Sequence, residues 1–288
     1  MKKVTGSKRK LTILIIILLI MVGCPVCVYG EALDFTQAEA EYIRNSEPIR
    51  VCLNTNRAPF SEYDESTGEF SGICVDILNE ISRESGLEFE FVEQQLDKTT
   101  PELFESGGFD IICGVERDNF FDNDDIVATD SFLESSVVPV GLAGTTFDLN
   151  KNTVVGVTSS FQALIKAVER DYPNLTVKKY KTNRDGLDAV ANGEVDAFIQ
   201  NTHIIGLLIQ EPQYEGFDIL PIEVMEEHTA MAMGTDENPL LLSIMNKSID
   251  NIDEALITSS LIEYTFGNQY DYTLWDFLYK FRVQIIII

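Results

Sequence analysis

An alternation of β-type and helical segments begins near Glu47 and constrains the fold more than any other feature of the sequence. The run PIRVCLN is typical of a strand, and GICVDILNEISRESG carries apolar residues at helical spacing and ends at Gly86. A strand (LEFEFVE), a short glycine-terminated helix (PELFESGG) and an apolar strand (FDIICGV) follow. Strands connected through helices pair in parallel, so this order predicts an α/β domain.

The same pattern then repeats in a second half. Strands NTVVGV, LTVKKY and EVDAFIQN alternate with helices SSFQALIKAVERDY and NRDGLDAVANG, and THIIGLLIQE follows as a further helix. EEHTAMAMGTD then predicts a returning strand and NPLLLSIMNKSIDNIDEA a closing helix. Halves of about 90 residues suit two small lobes. We expect lobe 1 over about 47–136 and 227–270, lobe 2 over about 137–226, and a hinge of two strands between them.

The first 30 residues have a different character. A basic head precedes an unbroken apolar run over 11–22, and small residues surround Gly30. This order predicts a secretory signal peptide over 1–30. The alternatives are an uncleaved anchor that extends to Tyr29 and a lipoprotein cleaved before Cys24. All three interpretations place the remaining chain outside the cytoplasm.

Acidic residues dominate the chain that follows this leader. Removing residues 1–30 takes away five of the 21 basic residues and none of the 47 acidic ones, which leaves 16 basic against 47 acidic, a formal net charge of −31. A surface of this sign repels nucleic-acid phosphates and anionic lipid headgroups. We therefore expect no nucleic-acid partner, and membrane contact through apolar segments only.

The residues that could support catalysis or metal binding form no recognisable motif. Beyond the leader only Cys52, Cys74 and Cys113 remain. Cys52 and Cys113 fall in predicted buried strands, where they could form a disulfide or remain as apolar thiols. There are two histidines, 122–125 lacks the glycine and glutamate of a calcium loop, and no nucleophile lies at catalytic spacing from a base. The sequence predicts no metal, no cofactor and no enzyme.

Several segments together resemble a known family. IRVCLNTNRAPFSEYDESTGEFSGICVDILNEISRESGLEFEFV, GFDIICGV, TVVGV, GLDAVANGEVDAFIQN and AMAMGTDENPLLLSIMNKSI follow the order of the bacterial extracellular solute-binding proteins of family 3. The likeness spans roughly Glu47 to Gly267. It implies a type II periplasmic-binding fold, in which two lobes close on a small-molecule ligand. Four loops at the carboxyl ends of strands are then expected to converge on the cleft, at 54–60, 114–117, 158–162 and 200–203.

The two ends of the chain favour one branch of this family. FTQAEAEYIRNSEPIRV resembles the lead-in of modules fused to membrane histidine kinases or diguanylate cyclases, and we expect a helical lead-in over 31–46. In YDYTLWDFLYKFRVQIIII, Trp275 and Tyr279 precede an apolar end, as at a membrane interface. We interpret 271–288 as the start of a transmembrane helix that the sequence cuts short, ahead of a cytoplasmic kinase or cyclase domain. One alternative to a membrane helix is that these apolar residues cap a soluble core. Another is a substrate-binding (lipo)protein that serves the permease of an ABC amino-acid importer.

The resemblance also implies where a ligand binds. Amino-acid binders of the family hold the ligand's ammonium with carboxylates, and its carboxylate with an arginine and helix-terminal donors. In this chain the amides Asn54 and Asn201 stand at both acidic positions, and Arg57 replaces an aromatic residue. The candidate ligand-binding residues are Asn54, Arg57, Phe60, Arg117, Thr158, Ser159, Ser160 and Asn201.

Several of these residues also have a purely structural interpretation. Asn54 could close a strand–turn, Phe60 could belong to the core, Ser159 and Ser160 could cap a helix, and Arg117 could be solvated. An amide carries no net charge, so it binds an ammonium group more weakly than a carboxylate does. We therefore predict a ligand with an anionic or neutral polar group. The rival is a cleft that signals through lobe closure without a ligand.

Overall fold

The computed structural model of the protein describes residues 33–94, 100–120, 124–235 and 239–267. The predicted leader (1–30) and the predicted start of a membrane helix (271–288) lie outside the described residues. Within the described ranges, no helix has both the length and the apolar character needed to cross a bilayer.

Strands and helices alternate along the chain as the sequence pattern predicts. The strands are β1 (Ile49–Leu53), β2 (Asn56–Arg57), β3 (Ser61–Asp64), β4 (Glu69–Ser71), β5 (Phe89–Glu93), β6 (Ile111–Glu116), β7 (Ile126–Ala128), β8 (Leu133–Leu142), β9 (Thr153–Thr158), β10 (Leu175–Tyr180), β11 (Ala197–Asn201), β12 (Phe217–Ile219) and β13 (Met225–Gly234). The helices are α1 (Gln37–Asn45), α2 (Ile73–Ser85), α3 (Thr100–Ser106), α4 (Gln162–Asp171), α5 (Asn183–Ala191), α6 (Thr202–Leu208), α7 (Pro239–Asp250) and α8 (Glu254–Ile262).

The long strands form one sheet in the order β10-β9-β11-β8-β13-β6-β1-β5. At one end β1 pairs in parallel with β5 and β6, and at the other end β9 pairs in parallel with β10 and β11. Between these groups β8 and β13 pair antiparallel with each other, and each also pairs antiparallel with the neighbouring group. We call the group around β1 lobe 1, the group around β9 lobe 2, and β8 and β13 the crossover strands. The predicted two-lobed α/β fold with a two-strand connection is confirmed.

The buried apolar residues pack mainly within one lobe, although Ile204 of α6 belongs to the large lobe 1 cluster. In lobe 1, Leu53, Ile77 and Met231 belong to one large buried cluster. In lobe 2, Phe198 and Ile199 are neighbours on β11 but pack in separate clusters on opposite faces of the sheet. A strand covered on both faces needs apolar residues at successive positions, which explains the run AFI in β11.

Strand register decides between the two interpretations of the cysteines. In the β1–β6 pair, Cys52 lies opposite Ile112 and Cys113 lies opposite Leu53. Successive strand residues point to opposite faces, so Cys52 packs with Ile112 on one face and Cys113 with Leu53 on the other. A disulfide between Cys52 and Cys113 is therefore wrong, because the sheet separates the two thiols. Cys52, Cys74 and Cys113 are free and buried.

A glycine sets the contact between α2 and the loop at 57–60. Gly72 has a φ of 115°, and a Cβ at this position would lie 2.6 Å from the carbonyl oxygen of Phe60. Only glycine combines this backbone conformation with so close an approach. As a result, the first amides of α2 reach the loop: those of Ile73 and Cys74 donate to the carbonyls of Pro59 and Phe60 at 3.1 and 2.9 Å.

Helix α1 packs on lobe 1 through apolar residues such as Tyr42 and Ile43 and through one buried carboxylate. Glu39 is 2% exposed and accepts hydrogen bonds of 2.7 Å from both Ser243 and Lys247 of α7. Its side chain also accepts from the amide of Thr36 in a capping box. Burial alone would raise the pKa of Glu39, but these hydrogen bonds outweigh the burial and lower the pKa to about 2.

The predicted closing helix is divided into two helices. Helix α7 ends at Asp250, and α8 begins after Asp253. The Asp253 carboxylate accepts a hydrogen bond of 2.8 Å from the amide of Ala255 and so caps α8. The aspartate in the sequence NIDEA therefore starts a new helix, and the expectation of one continuous closing helix is wrong.

Candidate ligand-binding site

Arg57 occupies the loop after β1, but its guanidinium is already paired within the chain. It donates to the carboxylate of Glu227 on crossover strand β13 and to the carbonyl of Gly114 at the lobe 1 edge. Its guanidinium carbon lies 4.7 Å from the centre of the Phe60 ring, at cation–π distance. The Arg57 side chain is 19% exposed and that of Glu227 is fully buried. Removing one partner of such a pair typically costs about 3–5 kcal/mol of stability.

Asn201 holds the other oxygen of the same carboxylate from lobe 2. Its amide donates hydrogen bonds of 2.7 Å to Glu227 Oε2 and of 2.7 Å to the Ser135 hydroxyl on crossover strand β8. Its own oxygen accepts from the amide of His203 at 2.8 Å, which caps the start of α6. Arg57, Glu227, Asn201 and Ser135, which we call the hinge network, therefore connect both lobes to both crossover strands.

The three polar candidates at the start of α4 divide into one buried and two exposed residues. Thr158 is buried, and its hydroxyl accepts from the Gln200 amide at 2.9 Å. Ser159 and Ser160 are exposed. The cap position of α4 is Phe161, which makes no side-chain hydrogen bond, so neither serine caps this helix.

The remaining candidates in lobe 1 have partners within the chain. The carbonyl of Asn54 accepts from the Arg57 amide at 3.2 Å and from the Ser61 hydroxyl at 2.8 Å, which closes the turn after β1. Phe60 is fully buried in the lobe 1 cluster. Arg117 donates to Asp130 at 2.8 Å. The ligand-binding role of these residues stays a prediction.

Two buried carboxylates, Glu227 and Glu116, were missed in the sequence. Glu226 and Glu227 open the predicted strand EEHTAMAMG, and alternation turns one of two neighbours inward, but the sequence does not say which. Glu116 ends β6 and is 4% exposed. Burial raises its pKa to about 7; amide hydrogen bonds from Asp118 and His228 oppose the rise, and the charges of Glu227 and Asp118 add to it.

Arg57, Asn201 and Glu227 meet where the two lobes join the crossover strands. Residues 49–120 match the model of the family described as bacterial extracellular solute-binding proteins, family 3. The chain resembles this family. The likeness is to solute-binding and sensor domains and not to enzymes.

The similar proteins include both a binding protein and a sensor protein. The chain is 22% identical over 214 residues to the "Probable histidine-binding protein" of Neisseria gonorrhoeae, covering 72% of this chain and 78% of that protein. It is 23% identical over 272 residues to the "Virulence sensor protein BvgS" of Bordetella pertussis, covering 88% of this chain and 20% of the sensor. The chain thus spans about a fifth of the sensor's length.

The solved structures agree on the fold. The periplasmic domain of B. pertussis BvgS superimposes with a TM-score of 0.67 at 20% sequence identity, over 88% of this chain and 49% of that chain. Identity at this level shows the fold alone. It establishes the two-lobed, type II periplasmic-binding architecture.

Proposed function

We propose that this chain is the extracytoplasmic binding module of a membrane signalling receptor, and that closure of its lobes is the signal. The hinge network carries the proposal. Arg57 of lobe 1 and Asn201 of lobe 2 hold the same carboxylate, that of Glu227 on a crossover strand. A change in the angle between the lobes has to alter these bonds, so a ligand that favours the closed arrangement shifts the equilibrium of the crossover strands.

The likeness to the sensor supports this role. The match to BvgS includes 88% of the chain, whereas the family model covers residues 49–120 only. Helix α1, formed by the predicted lead-in, is tied to lobe 1 through Glu39. A helix that crosses the membrane after residue 271 and an output kinase or cyclase domain belong to this proposal.

We assign the ligand to the class of small polar solutes with an anionic group, such as amino-acid-like molecules. Ser159 and Ser160 are exposed where α4 begins, and Phe161 leaves the cap position without a side-chain hydrogen bond. The amides at the start of a helix, with the helix dipole, favour an anion. Arg57 and Arg117 are both paired with carboxylates, so the helix start is the better anion site.

Calorimetry on the purified protein tests this assignment. The titrants are neutral and acidic amino acids, small dicarboxylates and, as the contrary case, lysine and arginine. Ser160→Asp places a negative charge at the start of α4 and should weaken binding at least about tenfold, because like charges repel across a short distance. Asn192→Asp is the matched control, since it adds the same charge at an exposed site of lobe 2. Tight binding of a cationic amino acid contradicts the ligand class.

A closed cleft without a ligand is the rival within the same function. Its support is that Glu227 already gives Arg57 and Asn201 an anionic partner. If no solute binds and scattering shows a closed form that Glu227→Gln opens, the rival is correct.

A second function is a substrate-binding protein of an ABC amino-acid importer. It is favoured by the match to the histidine-binding protein, which spans 78% of that protein. The reading frame after codon 288 separates the two functions. A continuing apolar segment followed by a kinase or cyclase domain supports the sensor, whereas an immediate stop codon beside a permease gene supports the importer.

A further inference from the structure

Three side chains with metal-binding atoms converge beside the hinge network. They are Glu116 at the end of β6, Asp118 in the turn that follows, and His228 on β13. One ligand atom from each lies within 4.8 Å of the others. Antiparallel pairing of β13 with β6 brings them together, because Thr229, next to His228, lies opposite Glu116. Residues more than a hundred positions apart in the sequence thus meet at one point.

The histidine is the group that points to a ligand. Its Nδ1 is buried and has no hydrogen-bond partner among the described residues. Asp118 Oδ2 lies 3.7 Å from this nitrogen, which is too long for a hydrogen bond. Two ligands that each lie about 2.1 Å from a tetrahedral ion are about 3.4 Å apart. The spacing therefore suits two ligands of one ion better than a direct contact.

The charge around the cluster is negative, as a cation site requires. Glu116 lies close enough to Glu227 and Asp118 for their negative charges to act on it, and Glu226 Oε2 is 3.7 Å from the other ring nitrogen of His228. Arg57 pairs with Glu227 in the hinge network. The amides of Asp118 and His228 orient the Glu116 carboxylate: Oε1 accepts from both, at 3.0 and 3.4 Å, and Oε2 accepts from His228 alone, at 3.1 Å. Oε2 therefore keeps a second lone pair for an ion.

We propose that Glu116, Asp118 and His228 bind a divalent first-row transition metal ion such as Zn²⁺. One imidazole nitrogen with two carboxylates suits zinc and its neighbours, whereas calcium and magnesium take oxygen ligands. Three protein ligands leave one tetrahedral position for water or a solute group. The ion joins the turn after β6 to crossover strand β13.

The test uses the purified, untagged protein after removal of metal with a chelator. Zn²⁺ is titrated by calorimetry at neutral pH, and the ring nitrogens are followed by NMR. The chain has two histidines, so each ring can be assigned. We expect one Zn²⁺ per chain, and a shift of the His228 ring nitrogens while those of His203 stay in place.

Matched variants decide whether the three residues form the site. His228→Gln and Asp118→Asn should each lower Zn²⁺ affinity at least about tenfold. Asp118 is 43% exposed, so we expect Asp118→Asn to fold even if His228→Gln does not. His203→Gln removes the other histidine and should bind as the unmodified protein does. Unchanged affinity in either cluster variant, several weak ions per chain, or equally tight Ca²⁺ binding would overturn the proposal.

Discussion

Asn201 donates a hydrogen bond of 2.7 Å to the buried carboxylate of Glu227. The negative charge at this point of the fold is therefore carried by crossover strand β13. There it meets Arg57, which donates to the other oxygen of the same carboxylate. Arg57 and Glu227 thus form one largely buried ion pair, which Asn201 supports from lobe 2.

Removing Arg57 should therefore destabilise the protein strongly. Arg57→Met leaves the Glu227 carboxylate buried without its cation, and we expect a loss of about 3–5 kcal/mol in the free energy of unfolding, measured with urea. Arg170→Met is the control: this arginine pairs with Asp171 at the surface and is 75% exposed, so we expect a change of less than about 1 kcal/mol. The double variant Arg57→Met/Glu227→Met should recover part of the loss. A double variant as unstable as Arg57→Met would contradict the pairing.

Glu39 should make the stability depend on pH in the acid range. Its pKa in the folded protein is about 2, below the value of about 4.3 for an unperturbed glutamate. A lowered pKa means that its contribution is complete above about pH 4.3 and is lost as the pH falls towards 2. In urea titrations between these values, Glu39→Gln should flatten the fall in stability. Glu41→Gln, which removes an exposed carboxylate of the same helix, should leave the slope unchanged.

Gly72→Ala should destabilise lobe 1, because the new methyl group would lie 2.6 Å from the Phe60 carbonyl oxygen at a φ of 115°. We expect a loss of at least about 1–3 kcal/mol in thermal or urea unfolding. Gly206→Ala is the control within helix α6, where a Cβ would meet no atom within 4 Å. That change should be neutral or stabilising by about 0.5–1 kcal/mol. Equal effects of the two variants would contradict the close approach at Gly72.

Oxidation should not join Cys52 to Cys113, because the two thiols lie on opposite faces of the sheet. We expect peptide mapping of the oxidised, folded protein to contain no Cys52–Cys113 cross-link. Protein oxidised after unfolding in urea serves as the positive control, since its chain can bring the two residues together. Finding the cross-link in folded protein would show that the β1–β6 register is wrong.

Local patterns were enough to predict the sheet and helices, because apolar periodicity depends on neighbours in the sequence. Such patterns could not predict the contacts at the lobe junction. Arg57 and Glu227 are 170 residues apart, and their pairing depends on which of Glu226 and Glu227 faces inward. The break between α7 and α8 is not evident from the sequence, because an aspartate such as Asp253 can lie inside a helix or cap the start of one.

Lobe 2 is one uninterrupted stretch of chain between β8 and β13. Helices α1, α7 and α8 stay with the other half of the molecule. Recombination between two related genes at β8 and β13 would therefore exchange all of lobe 2 in one step. Both ends of the domain would stay unchanged. Such a layout allows the residues of lobe 2 to be replaced as a set while lobe 1 and its helices stay the same.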